Sequence, residues 1–149
     1  MPSQKNKVNI LIMNECLFCK IVKKEIPSDI IYEDDDFFAF LDINPNNPGH
    51  SLIVPKKHYE NIYNLPDEIL KNIAPLIKKM AAAVKNGVNA DGINIIMNND
   101  GAAGQIVPHA HFHIIPRFAN DGYKHWPGKS YANKEESAKT AEKIKSALF

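Results

Sequence analysis

Three histidines at alternate positions, His109, His111 and His113, are the side chains of this sequence best placed to do chemistry together. Ala110, Phe112 and Ile114 alternate with them, in a run bounded by Pro108 and Pro116. That alternation predicts a strand over 108–116, because residues two apart share a face of a strand and their neighbours point the other way. The imidazoles would form a row roughly 7 Å apart, at about 3.3 Å per residue, with the apolar set against a core. On a helix they would fan out by about 200° per step, too far to act together. Pro108 suits the first position of a strand and Pro116 its end. Much of the imidazole is neutral near pH 7, so such a row either holds a metal or offers a nitrogen nucleophile.

The segment just upstream favours phosphorus as the target. Residues 98–105, Asn-Asn-Asp-Gly-Ala-Ala-Gly-Gln, form a turn-rich loop in which Gly101 and Gly104 let backbone N–H groups approach an anion. A second cluster is Cys16-Leu17-Phe18-Cys19, which contains both cysteines of the chain. In a reducing compartment a C-x-x-C pair points to metal or redox chemistry rather than to a staple. No strand run precedes it, which weighs against a thioredoxin-like role. Zinc would need two further ligands, and the histidines can supply them. The acidic run Asp34, Asp35 and Asp36 is, by contrast, a solvated turn.

A chain of 149 residues with 44% hydrophobic residues is enough for one domain with an ordinary core. We expect that domain over 15–149, behind a loose tail over 1–14. Net charge is +1, from 18 basic and 17 acidic residues, and Arg117 is the one arginine. With no basic block, nucleic acid is not an expected partner. No apolar run approaches the ~20 residues of a membrane span. The apolar patch at 8–13 is too short for a signal sequence and lacks a cleavage site, so a cytoplasmic protein is expected.

The elements that must position these groups follow from local patterns. Residues 17–25 suggest a short helix closed by Pro27. Residues 30–32, 37–41 and 51–55 suggest strands, the last two separated by the turn-forming Asn44-Pro45-Asn46-Asn47-Pro48-Gly49 that leads into His50. Residues 66–86 form the main helix, with Pro66 at its first position and Asp67 and Glu68 complementing the dipole. Its apolar stripe is Ile69, Ile73, Leu76, Ile77, Met80 and Val84. Pro75 should kink it, at a cost of about 3 kcal/mol in a straight helix, and Gly87 should end it. Residues 92–98 give a fourth strand and the histidine run a fifth. After Arg117, Asn120-Asp121-Gly122 marks a turn. Asn133 caps a final helix over 134–149, with Ala138, Ala141, Ile144 and Leu148 as a thin apolar face. Strands joined mostly by turns, covered by one long and one or two shorter helices, predict an α+β fold on an antiparallel sheet.

Gly104-Gln105-Ile106-Val107-Pro108 followed by the alternating histidines resembles the signature of the histidine triad nucleotide-binding proteins, and the resemblance extends over about 16–117. It implies the HIT-like fold, a five-stranded antiparallel sheet with a long helix. It also implies a homodimer, here expected through the edges near 86–97, because an open sheet edge is usually covered or paired. The implied activity is hydrolysis of purine nucleotides at the α-phosphate, often of phosphoramidates, through a nucleotidyl-histidine formed on His111. By the same resemblance His113 and His50 lie near the phosphate and Asp42 accepts from the ribose hydroxyls. Phe18, Ile21, Phe40, Ile43 and Leu52 form the base slot, and Asn98, Gly104, Gln105 and Ile106 the phosphate loop. Many relatives carry Ser or Thr where this chain has Ile106, so one hydroxyl donor is missing. With His50, His111 and His113 given to the phosphate and His125 beyond the matched region, His58 and His109 remain to complete a structural zinc site with Cys16 and Cys19. Relatives carrying a C-x-x-C use the corresponding positions. No catalytic metal is expected. The alternatives are cleavage of dinucleoside polyphosphates, a nucleotide-binding scaffold with incidental hydrolysis, and a hydrolase whose three histidines hold a metal. The segment around Trp126 is expected to shape substrate preference.

Overall fold

Two central strands covered on both faces organise the computed structural model, which describes residues 16–148. The tail expected over 1–14 and the patch at 8–13 lie outside the described residues. β1 (Ile30–Glu33), β2 (Phe37–Leu41), β3 (Ser51–Pro55), β4 (Gly92–Ile96) and β5 (Phe112–Arg117) form one antiparallel sheet in the order β1-β2-β3-β5-β4. Phe38, Phe40, Leu52 and Val54 pack with Phe18 and Ile21 of α1 (Leu17–Val22). On the opposite face Phe37, Ala39, Ile53 and Ile114 pack with Ile73, Leu76, Met80 and Val84 of α2 (Asp67–Gly87). Strands buried on both faces have no polar side to alternate with, which accounts for the unbroken apolar runs 37–40 and 52–54. The five-stranded α+β architecture expected from the sequence is the one observed.

α2 runs through Pro75 without interruption, and Pro66 is its cap rather than its first residue. The four buried stripe residues each contribute about 1.5–3 kcal/mol, together outweighing the cost of one internal proline. Pro75 also lies on the exposed face, where the carbonyl it leaves unpaired can reach water. α1 stops at Val22, short of residue 25, because Lys24 takes a positive φ of 61° and its N–H folds back to the Ile21 carbonyl. β4 ends at Ile96 rather than at 98. α3 (Lys134–Ser146) is capped by Asn133 as expected but ends at Ser146, and among the described residues its apolar face covers nothing: no residue in it is buried. Among the described residues no helix is long and apolar enough to cross a membrane.

The fifth strand differs most from expectation. It begins at Phe112, so His109 and His111 precede it. The chain there is bent: the His109 N–H donates to the Val107 carbonyl two residues back, and the Ala110 N–H to the Tyr59 carbonyl. Pro116 lies inside β5, opposite Ile93 of β4, rather than ending it. Within β5, β3 pairs with residues 112–114 alone, so one side of Pro116 faces no ladder. There its carbonyl accepts from Asn47 Nδ2 at 2.8 Å, and its missing N–H breaks no sheet bond.

Candidate active site and metal centre

The bend before β5 separates the three histidines into two groups, His109 beside the two thiols and His111 beside His113. His109 is fully buried and turns toward α1. Its Nε2 lies 2.8 Å from the Pro55 carbonyl, which only accepts, so Nε2 carries the proton and Nδ1 keeps its lone pair. That lone pair faces Cys16 Sγ at 3.5 Å and Cys19 Sγ at 3.6 Å, while His58 Nδ1 lies 3.4 Å from Cys19 Sγ. In a zinc tetrahedron with Zn–S of about 2.3 Å and Zn–N of about 2.0–2.1 Å, sulfur and nitrogen are about 3.5–3.6 Å apart. All four ligand atoms lie within 4.8 Å of one another. Burial holds His58 and, at about 4, His109 neutral, which is the ligating form. Burial and the neighbouring Cys16 push the Cys19 thiol up to about 12, so a cation is what would stabilise a thiolate here. The residues fit a closed zinc site.

His111 faces the other way. Its Nδ1 lies 2.6 Å from the His109 carbonyl, so Nδ1 carries the proton and Nε2 presents a lone pair. Burial lowers its pKa, against the pull of that carbonyl and of Asp42. Phe18 stands edge-on between the two histidines, its ring centre 6.0 Å from His109 and 5.0 Å from His111. One backbone carbonyl thus joins the candidate metal cluster to the nucleophile candidate.

His113 is opposite Leu52 in the sheet register, on the α1 side, with its ring 4.9 Å from that of His111. His50 enters from the turn before β3. Gly49 there has φ +98°, and a Cβ would meet Val88 at 2.8 Å, so only glycine fits this approach. The Asn46 N–H donates to His50 Nδ1 at 3.2 Å, which leaves the His50 proton on Nε2. His50 Nε2 is 2.9 Å from His113 Nδ1 and 3.7 Å from an Asp42 carboxylate oxygen; the other Asp42 oxygen accepts from the Asn44 N–H at 2.8 Å. His113 Nδ1 is then an acceptor and Nε2–H is its remaining donor. Burial, then the neighbouring His111 and His50, hold the His113 pKa down to about 4.

Asp42, His50 and His113 also gather three potential ligand atoms. The hydrogen-bond pattern fits them poorly to a metal. A ligating imidazole normally donates from its second nitrogen, whereas here that nitrogen of His50 receives an N–H. The 2.9 Å nitrogen separation is also that of a hydrogen bond, shorter than the about 3.3 Å across a zinc tetrahedron. His109 passes the same test and His50 fails it.

The loop downstream of β4 is built around Gln105, whose side chain accepts from the Asp100 N–H and donates to the carbonyls of Glu60 and Val107. Gly104, at φ +89°, closes the turn with Asn98 nearby, and the Ile106 side chain stands in solvent, 91% exposed. Phe18, Ile21, Phe40 and Leu52 are buried members of the cluster on the α1 side, while Ile43 is 91% exposed. Sequence patterns gave no notice of Asn46, nor of Tyr123, whose hydroxyl donates to the Asn46 carbonyl at 2.7 Å. The lone arginine was the available signal: Arg117 lies over the Tyr123 ring.

Known proteins resemble this chain in sequence and in fold. A model of the HIT domain matches residues 23–120. An uncharacterized HIT-like protein of Methanocaldococcus jannaschii is 52% identical over 107 residues, covering 72% of this chain and 82% of its own. A Candida albicans protein named adenosine 5'-monophosphoramidase is 38% identical over 139 residues, covering 89% of this chain and 91% of its own. The crystal structure of a zinc-bound histidine triad family protein from Mycobacterium smegmatis superposes with a TM-score of 0.71 at 34% identity, covering 91% of this chain and 99% of that one. With the alternating histidines on the same fold and the match spanning most of the chain, the protein belongs to the HIT domain family.

Proposed function

We propose that the protein is a nucleotide hydrolase that releases a purine nucleoside monophosphate by cleaving a bond at the α-phosphate, with phosphoramidates as the preferred substrate class. The observation that carries this reading is the proton placement at His111: Nδ1–H held by the His109 carbonyl, Nε2 bare and beside His113. The relative named adenosine 5'-monophosphoramidase supports the same substrate class. In the first step His111 Nε2 bonds to the α-phosphorus as the P–N bond breaks, and the leaving amine takes up one proton. The carbonyl of His109 stabilises the positive charge on the substituted imidazole. In the second step water attacks phosphorus, frees His111 and returns one proton, so the net reaction consumes one water. His113 Nε2–H and the loop amides, including that of Ile106, bind the phosphoryl oxygens. Asp42 accepts from the ribose hydroxyls, and Phe18, Ile21, Phe40, Ile43 and Leu52 contact the base. Cys16, Cys19, His58 and His109 hold a structural zinc. No step needs a catalytic metal.

The test compares kcat/KM for adenosine 5'-phosphoramidate and diadenosine tetraphosphate, with His111→Ala alongside. We expect the phosphoramidate to be preferred and the variant to lose turnover while binding AMP within about tenfold, or roughly 1.4 kcal/mol. Near-normal hydrolysis by His111→Ala would remove the nucleophile assignment. We further infer one domain over 15–149, a cytoplasmic location and a homodimer. Among the described residues β4 is an edge strand with Ile95 half exposed, and its open ladder is a natural pairing surface. A sedimentation mass of one chain at micromolar concentration would rule out that dimer.

A further inference from the structure

Arg117 heads a network that the reaction steps above do not use. Its Nε and Nη2 clasp the two carboxylate oxygens of Asp121 at 2.6 and 2.9 Å, and its Nη1 donates to Asn94 at 2.7 Å. The guanidinium also donates to the Tyr123 carbonyl at 3.1 Å and lies 5.5 Å above the Tyr123 ring centre. So held, Tyr123 points its hydroxyl at the Asn46 carbonyl, 2.7 Å away. Asn47 is tied to the same clasp, its Nδ2 donating to the Pro116 carbonyl at 2.8 Å and to Asp121 at 3.0 Å. The segment after β5 thereby fixes two successive residues of the loop before His50. Asn46 is the residue whose N–H caps His50 Nδ1.

We propose that Tyr123 is a positioning residue for the phosphate site, holding Asn46 so that its amide dictates which nitrogens of His50 and His113 carry protons. This inference rests on the α-phosphate reading above. With the Asn46 N–H on His50 Nδ1, His50 must donate from Nε2, His113 must accept at Nδ1, and His113 presents N–H from Nε2. If Asn46 drifts, His50 can carry its proton on Nδ1 and offer a lone pair at Nε2. His113 then answers with Nδ1–H, and its Nε2 turns a lone pair toward an anionic phosphate. A donor becomes a repulsive acceptor with no heavy atom moving far. Losing one preorganised donor costs about 10²–10³ in rate. Tyr123 acts through two intermediates, so part of that, about tenfold, is the expected effect.

The test is Tyr123→Phe, which keeps the ring under Arg117 and removes only a hydroxyl on a residue 48% exposed. Nitrogen-15 NMR of histidine-labelled protein reads the protonation of each ring nitrogen. In wild type His50 should show a bare Nδ1 and a protonated Nε2. In the variant the two should become mixed, kcat/KM for the phosphoramidate should fall about tenfold, and affinity for adenosine, which lacks phosphate, should stay within about twofold. Asp121→Asn, which loosens the clasp from its other end, should move the His50 signals in the same direction. Unchanged His50 signals in both variants overturn the proposal, and so do altered signals with wild-type kcat/KM. If wild type fails to hydrolyse any nucleotide, the α-phosphate reading falls, while the His50 spectrum still decides whether Tyr123 sets the tautomer.

Discussion

Replacing Cys16 with serine should cost the protein its metal and about 10 °C of melting temperature. Cys16 and His109 are 93 positions apart. A cross-link closing a loop of about 100 residues removes about 4.7 kcal/mol of unfolded-chain entropy. The unfolded chain keeps some metal through its adjacent thiols, which reduces that to about 3–4 kcal/mol. For a domain of this size each kcal/mol moves the melting temperature by about 2–4 °C, hence the expected shift. Packing alone gives a smaller effect, because serine differs from cysteine by one atom and the other three ligands stay in place. The assay is elemental analysis of protein purified without chelator, paired with thermal unfolding of wild type and variant, each with and without chelator. Wild type should carry about one zinc per chain and lose stability on chelation, whereas the variant should be metal-poor and indifferent to chelator. Chelation should lower the melting temperature before it lowers activity at 25 °C, because the His109 carbonyl that orients His111 is also tethered through the Pro55 bond. Wild type with well under one zinc per chain, or a variant with unchanged metal content, would refute the tetrahedral fit.

Two further outcomes follow from the same site. Ile106→Ser places a hydroxyl donor on the exposed turn after Gln105; up to about 3 kcal/mol of transition-state stabilisation is available from one such donor, so kcat/KM should rise about tenfold or more, and no rise would show that the loop amides already suffice. The second concerns acid. His113 is held down to about 4 in the fold and titrates near about 6.5 when unfolded, so the unfolded chain takes up the proton first. Its stabilising contribution is therefore full above pH of about 6.5 and is lost as pH falls toward about 4. The ceiling is about 3.4 kcal/mol, and screening at a part-exposed ring brings it to about 1–2 kcal/mol. Denaturant unfolding of wild type and His113→Gln at pH 7 and pH 5 checks it: pH 5 lies within that window, so the wild type should lose about 1 kcal/mol more on acidification, and equal losses would contradict the assignment.

The sheet was legible in the sequence because its two buried strands are apolar without interruption and its turns are marked by Asp34 and by the Asn-Pro-Gly stretch before His50. β2 and β3 fall where the pattern puts them. The long helix was legible from its stripe, which carries it through Pro75 with Ile73 and Leu76 buried on either side. The strand expected over 108–116 failed at 108–111 for a tertiary reason. His109 is drawn under α1, and the Tyr59 carbonyl takes the Ala110 N–H that a sheet neighbour would otherwise have taken. Strict alternation assigned all three histidines to one face, where the fold sets His109 against Cys16 and Cys19 and leaves His111 beside His113.

What the alternation could not convey is the proton inventory. Three imidazoles of the same type differ in which nitrogen carries the proton because different backbone groups meet them: the Pro55 carbonyl at His109, the His109 carbonyl at His111, and the Asn46 amide, through His50, at His113. Every residue carries such groups, so no side-chain pattern announces them. They are set by where the chain turns, and the turns are held by residues such as Gly49 and Tyr123 that touch no reacting atom. Substitutions that bend the backbone at 46, 55 or 109 should accordingly damage this site more than their side chains suggest. Conservative changes to the rings' apolar neighbours should damage it less. A histidine site of this kind is specified by its carbonyls and amides as much as by its histidines.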